Sequence, residues 1–389
     1  MIPVAKAQRL VLALAAPLGT ETVPLAQAAG RRMREAAAAR RDQPPFDASA
    51  MDGYAVAGDP RAGETFRVVG EAGAGHAHAG VVGPNEAVRI STGAPVPAGA
   101  TRILLQEDVA REGDRITLAA DAGPGTHIRP RGGDFAAGRA LDPRWLRPND
   151  LALLAAMNIP AVTASRRPVV ALVATGDELV MPGETPRADQ IVCSNTFALK
   201  ALAEEAGAEA RLLPIARDTP AELAFVLGLA ADADLIVTVG GASVGDHDLV
   251  GRVAGLERAF HRVAMRPGKP LMAGRLSGVP MLGLPGNPVS AIVCAHLFLL
   301  PLIRAMQGDP DPLPRMAQGR LGCDVGPAGP RTHYMRARRE GAEGVPRLHP
   351  FDDQDSALLS VLAQADALLV RPAGDGPRQA GEPAGYLPI

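Results

Sequence analysis

Asp234-Leu-Ile-Val-Thr-Val-Gly-Gly-Ala-Ser-Val-Gly-Asp-His-Asp248 is the stretch on which the fold turns. Leu235 to Val239 run without a charged residue, the pattern of a strand buried on both faces. The run stops on two glycines, crosses small residues and presents Asp246 and Asp248 around His247. A buried strand that ends in this way fits an α/β sheet, where ligands gather at the carboxyl ends of the strands.

Working outward, the same alternation recurs. Val169 to Thr175 reads as a strand, and Ser194-Asn195 opens a helix carrying Phe197, Leu199 and Leu202 that Gly207 closes. Leu212 to Ala216 is the next expected strand. Thr219-Pro-Ala-Glu222 is a capping box with proline at the first helical position. A further helix is expected after Asp248. Val289 to Ile303, with His296 and Pro301, is too short to span a bilayer and reads as a buried helix. Residues 167–308 are therefore expected to form a mostly parallel α/β sheet domain with helices on both faces. Upstream, the short runs Phe66–Val69, Ala87–Ile90, Arg102–Leu105 and Arg115–Leu118 lie between Gly, Pro and Asp turns. They predict an inserted β-rich module over 45–139. It interrupts a helical/linker segment, 1–44 and 140–166, with expected helices around Val4–Leu14 and Asn149–Ala156. After the stiff Asp309–Pro314 connector, 309–389 predicts a small β-rich C-terminal domain.

Composition limits the partners. Lys and Arg number 40 against 42 Asp and Glu in 389 residues, a net charge of −2, which implies no broad basic surface for nucleic acid. Cys193, Cys294 and Cys323 are far apart and form no C-x-x-C pair, so a reducing compartment is expected and neither a disulfide framework nor a zinc site follows. The first residues do not have the form of a signal peptide. The expectation is a soluble, cytoplasmic protein that neither crosses a membrane nor binds nucleic acid.

The candidate chemistry lies at the strand ends. Gly176-Asp-Glu178, Arg217-Asp218 and the glycine loop place Glu178, Asp218, Asp246 and Asp248 on one expected rim. Clustered carboxylates repel one another unless a hard cation holds them, and Mg²⁺ suits oxygen ligands. Gly240, Gly241 and Gly245 would let backbone N–H groups approach a pyrophosphate. Any one of these acids alone reads as a helix cap, and it is the set on one rim that reads as a site. Lys269, fixed between prolines in Arg266-Pro-Gly-Lys-Pro270, is an anion donor or a plain surface lysine. In Gly283-Leu-Pro-Gly-Asn-Pro-Val-Ser290, Asn287 caps or the first helical turn with Ser290 binds an anion. In the module, Asp52 beside Gly53, the exposed Thr92 and Arg129–Asp134 each pass as turns. His76 and His78 are spaced like a chelate, but sit in a Gly/Ala loop.

Six motifs together resemble the MoeA family of molybdopterin molybdenumtransferases, related to gephyrin and the E-domains of plant Cnx proteins. They are Phe46–Ala55, Ser91–Pro97, Thr175–Glu178, Gly240–Gly245, Pro267–Pro270 and Gly283–Ser290, in the expected order over nearly the whole chain. The resemblance implies insertion of molybdate into the dithiolene of adenylylated molybdopterin with Mg²⁺, release of AMP and formation of molybdenum cofactor. It implies a homodimer, supplied by a molybdopterin adenylyltransferase, with Asp52 and Thr92 reaching the site across the dimer. By the same resemblance Glu178, Asp218 and one of Asp246 and Asp248 serve the metal and the pyrophosphate, bound at Gly240, Gly241, Ser243 and Gly245. Lys269, Pro270 and Ser290, with Arg336 and Ser356 from the C-terminal domain, would cradle molybdate. Arg266 stands where relatives often have lysine, and Gly133 where some have glutamate. Two other readings are an ATP-dependent molybdopterin adenylyltransferase and a non-catalytic molybdopterin-binding scaffold.

Overall fold

A computed structural model describes residues 1–241, 249–341 and 344–389. The chain divides into two units, Met1–Glu21 with Ser165–Ile389, and Thr22–Ala164. In the first, a six-stranded sheet runs in the order Glu209–Leu212, Val169–Ala174, Leu235–Val239, Val279–Leu284, Met272–Leu276, Leu256–Phe260. The first four strands are parallel and the last two antiparallel. Side chains alternate between faces, as period-two geometry demands. Val170 and Leu172 pack with Leu199 and Ala203 of helix Asn195–Glu205. Ala171 and Val173 face Leu223 and Val226 of helix Pro220–Gly228 on the other side. Helices thus cover both faces, which is why the central strands carry no charged residue and are almost wholly apolar. The antiparallel hairpin turns at Ser277-Gly278, where φ is 49° and 88°, as a two-residue type I′ turn requires.

Several boundaries differ from expectation. The second strand is Glu209–Leu212, not Leu212–Ala216. Pro214 has no N–H to give a ladder, and Ala216 returns to the sheet only as a bridge to Thr175. Past the glycine loop the described chain forms only a 3-10 turn, Val250–Arg252, in place of a helix. Gly251 and Gly255 weaken any longer helix there. The helical run Pro288–Met306 is 19 residues, long enough to cross a bilayer, but 78% of its most apolar window is buried. It is the central core helix.

That helix holds a π turn, Ala295–Leu299, just before Pro301. Proline leaves the carbonyl four residues earlier, that of Leu297, without its helical donor. Gln8 Nε2 donates to that carbonyl at 3.3 Å. The first helix, Val4–Leu12, thereby belongs with the α/β domain and not with 140–166, and its Ala7 and Val11 lie in the same core as Phe298. Gln8→Leu is expected to destabilise the chain by about 1–3 kcal/mol, the cost of an unsatisfied buried carbonyl. Urea unfolding measures it.

In Thr22–Ala164 the expected helical/linker portion is mostly extended. It contains one helix, Pro148–Ala156, one 3-10 turn, and two strand pairs, Thr20–Pro24 with Ala161–Ser165 and Ala37–Ala38 with Ala140–Leu141. Val23, Met33, Phe135 and Leu154 form its core. The module itself is a six-stranded mixed sheet with a separate core on each face, Tyr54 and Val56 on one and Ala55 and Val88 on the other.

The C-terminal domain is β-rich. Strands Thr332–Glu340, Arg347–Pro350, Ala317–Leu321, Pro383–Pro388 and Ala367–Arg371 pair in that order, and the last returns to the first. Closure removes free sheet edges. Its helix is only Leu359–Leu362, not Ser356–Leu362. The preceding residues are held by side-chain bonds instead, with Asp355 Oδ1 accepting from Ala357 N at 2.8 Å.

Candidate functional site

The ends of the parallel strands meet through backbone bonds. Thr175 N donates to Val239 O at 3.0 Å, Gly176 N to Ala216 O at 3.1 Å and Gly240 N to Leu284 O at 3.2 Å. Over them opens a cavity of about 660 Å³ whose walls include Thr175, Gly176, Glu178, Asn195, Asp218, Gly240, Gly241, Pro270, Asn287, Pro288 and Ala357. Glu178 and Asp218, from different strand ends, share it.

The two glycines are needed for packing as well as for any ligand. Gly240 has φ of 91°, and a Cβ there would lie 2.7 Å from Thr175 O. Gly241 has φ of 62°, and its Cβ would meet Val250 Cγ2 at 2.7 Å and Thr175 Oγ1 at 2.8 Å. Only glycine fits both the conformation and the space. Since Gly240 N–H is already bonded, Gly241 is the one of the two whose N–H is uncommitted among the described residues.

Two residues that the motif reading passed over set the acid geometry. Asp177 Oδ1 accepts from Asp218 N at 3.1 Å, and Arg217 Nη1 donates to the carbonyls of Asp177 and Leu179 at 3.1 Å each. These bonds tie the Glu178 loop to the Asp218 loop and leave both candidate carboxylates exposed. Their only sequence signal was an acid and a base directly beside the chosen ones. Ser243, Gly245, Asp246 and Asp248 lie outside the described residues. Among the described residues no three His, Cys, Asp or Glu converge as a metal centre. The donor set present is two carboxylates on an open cavity. This fits Mg²⁺, which often takes one or two carboxylates and completes its shell with water and substrate phosphate oxygens.

Beyond the acids, Pro270 brings the Arg266–Pro270 turn to the cavity wall. Lys269 is exposed, and no carboxylate pairs with it among the described residues. Gly268, at φ of 102°, backs onto Cys294, whose Sγ would lie 2.6 Å from an added Cβ. Asn195 Nδ2 donates to Gly286 O at 2.7 Å, joining two loops of the wall. Asn287 Nδ2 donates to Ser356 Oγ at 3.0 Å, and Val289 N donates to Ser356 O at 3.1 Å. Ser356 thus latches the C-terminal domain onto the start of helix Pro288–Cys294, and the adjacent Ala357 lines the cavity.

Two expected cradle residues are placed elsewhere. Ser290 is buried behind the cavity, 4% exposed, and is not on its wall. Arg336 is 1% exposed, and its guanidinium donates to Gln354 Oε1, Leu358 O and Asp353 O at 3.1–3.4 Å. Its hydrogen bonds go to a loop of its own domain.

In the other unit, Asp52 and Thr92 form a pair. Asp52 Oδ1 accepts from Thr92 N at 2.6 Å and from Thr92 Oγ1 at 3.0 Å. These bonds, aided by the charge of Arg89, hold the Asp52 carboxyl below the usual range. A depressed carboxyl pKa favours the fold above the ordinary carboxylate value, and that gain fades as pH falls through the depressed one. Thr92→Val is expected to move the Asp52 titration up toward the ordinary value, read by carboxyl NMR. His76 and His78 join no metal cluster among the described residues.

Fold and cavity together define a multidomain α/β and β protein with its ligand site at the strand tips. Three family models match it: the MoeA N-terminal region (domains I and II) over 2–158, a probable molybdopterin binding domain over 171–305, and the MoeA C-terminal region (domain IV) over 318–389. A molybdopterin molybdenumtransferase of Nostoc sp. is 35% identical over 92% of this chain and 86% of the relative. Molybdopterin molybdenumtransferase 2 of Mycobacterium tuberculosis is 38% identical over 78% of this chain and 80% of the relative. A molybdopterin biosynthesis MoeA structure from Pyrococcus horikoshii covers both chains fully at 27% identity with a TM-score of 0.84. The chain belongs to the MoeA family, the molybdopterin molybdenumtransferases, and is an enzyme of the transferase class.

Proposed function

We propose that this chain inserts molybdenum from molybdate into the dithiolene of adenylylated molybdopterin and releases AMP. The observation that carries the reading is the placement of Glu178 and Asp218 with Gly241 on one cavity of about 660 Å³, a size that accommodates a substantial organic ligand. A pyrophosphate there meets the Gly241 N–H, and Glu178 and Asp218 are the residues that hold Mg²⁺ against it. Asp246 and Asp248, outside the described residues, are the candidates to complete that set. When bound, the cation would neutralise charge that develops on the pyrophosphate as water attacks phosphorus, a new P–O bond forms and the bond to AMP breaks. Asp177 and Arg217 keep the two acids in register. Lys269, exposed and without an acidic partner among the described residues, supplies a cation for molybdate at the Pro270 end of the cavity.

The wider reading follows the family. The chain acts as a homodimer in the cytoplasm, takes its substrate from a molybdopterin adenylyltransferase, and uses Asp52 and Thr92 at the cleft of the other subunit. The test supplies purified protein with adenylylated molybdopterin, Mg²⁺ and molybdate. AMP and a cofactor able to activate an apo-molybdoenzyme are expected together. Production of neither would refute the reading, and adenylylation of molybdopterin from ATP would replace it.

A further inference from the structure

The closed sheet of the C-terminal domain has two unlike outer halves. Leu321, Ala337, Leu348 and Tyr386 fill the inside of the barrel, while Tyr334, Leu368 and Leu387 point outward into the core of the α/β domain. Alternation along the same strands sends Arg320, Arg338, Glu340, Arg347 and His349 outward as well. Of these, His349 is partly buried and the other four are exposed. None of them lines the strand-tip cavity.

Register brings like charges together on this half. Arg347 is the direct partner of Arg320 on one side and of Glu340 on the other, and Arg338 is that of His349. Cross-strand partners stand about 5 Å apart, where like charges repel. Glu340 is the one acid in these two rows, and its Oε2 lies 2.8 Å from His349 Nε2. Arg320 Nη1 donates to Gly381 O at 2.7 Å. Arg338 donates to Gln364 and lies 5.2 Å from the centre of the Phe351 ring. The Arg347 side chain has no hydrogen bond, and none of the three guanidiniums makes a salt bridge, among the described residues. The fold therefore carries three guanidiniums close together with their charge unopposed, and the Arg320–Arg347 contact works against its stability.

We propose that this face docks an extended acidic segment of a partner protein. A guanidinium presents paired donors that match a carboxylate. In an extended segment alternate side chains point the same way about 7 Å apart, close to the roughly 7–8 Å between diagonal neighbours on a sheet. Acids at alternate positions can thus meet Arg320 or Arg347 and then Arg338, and their charge offsets the repulsion within the row. Glu340 inside the face and a net charge of −2 on the chain oppose the dense phosphates of a nucleic acid or an anionic membrane. Docking here needs no turnover, so it stands or falls independently of the reaction.

Fluorescence anisotropy of the full chain with a fluorescein-labelled Glu-Gly-Glu-Gly-Glu-Gly-Glu peptide at low ionic strength tests it. Saturable binding that weakens as salt rises is expected. Arg320→Glu and Arg347→Glu should each weaken it at least about tenfold, and Glu340→Gln should tighten it about two- to threefold. Arg258→Glu, a reversal on the exposed part of strand Leu256–Phe260 in the α/β sheet, should leave it unmoved. Thermal unfolding checks that each variant is folded. Single-stranded oligothymidylate and phosphatidylglycerol vesicles are titrated in parallel. Tighter binding of either one, lost in Arg347→Glu, assigns the face to that polyanion and overturns the proposal. So does a peptide that fails to saturate, or one whose binding falls as far in Arg258→Glu as in Arg347→Glu.

Discussion

Asp218→Asn lowers the rate of AMP release by about 10²–10³-fold while affinity for the pterin changes by only a few-fold, the expected loss for one preorganised electrostatic group. Asp218 reaches the cavity from the strand end beside that of Glu178, and its backbone N–H is fixed by Asp177. The asparagine keeps that backbone bond and the shape of the wall. What goes is one negative oxygen for the Mg²⁺ proposed to neutralise the pyrophosphate. Glu178→Gln is expected to act alike, and the double variant to fall little further if, as proposed, the two acids serve one ion. Single-turnover AMP release and equilibrium pterin binding separate the effects. Equal losses in both, or unchanged kinetics, would remove the metal role from Asp218.

The parts of this arrangement that could be read from the sequence are those set by local pattern. Leu235–Val239 carries no charge and is buried throughout because both faces of its sheet are covered, and Thr219 marks a helix start through its own bond to Glu222 N. The strand tips, and so Glu178 and Asp218, follow from those elements. Other parts depend on distant residues. Pro214 ends a ladder, yet its effect on where the strand begins is set by pairing with Val169–Leu172. The stripe of Val4–Leu12 says that one helix face is buried but not against what, and its partner, the Leu297 carbonyl, lies 289 residues away from Gln8. Asp177 and Glu178 are chemically alike neighbours, and only the position of Arg217 and Asp218 makes one a strut and the other a ligand candidate.

Arg336 carries the second large effect. Family resemblance places it against molybdate, whereas its guanidinium is 1% exposed and holds Gln354, Asp353 and Leu358. The loop so held carries Ser356, which accepts from Asn287 Nδ2 and Val289 N. On these bonds Arg336 is expected to act as a positioning residue, reaching the cavity through Ser356 and Ala357. Arg336→Met is expected to cost about 1–3 kcal/mol, the scale for leaving buried polar groups unsatisfied, because the carbonyls of Asp353 and Leu358 lose their donor. Arg336→Lys should rescue little, since one ammonium cannot span three acceptors that a planar fork reaches together. Hydrogen exchange distinguishes this role from direct ligation. Once the loop loosens, the Val289 amide loses its Ser356 acceptor and exchanges faster in the ligand-free protein. If Val289 stays protected in both variants while molybdate affinity collapses, Arg336 contacts the anion itself and the latch argument fails.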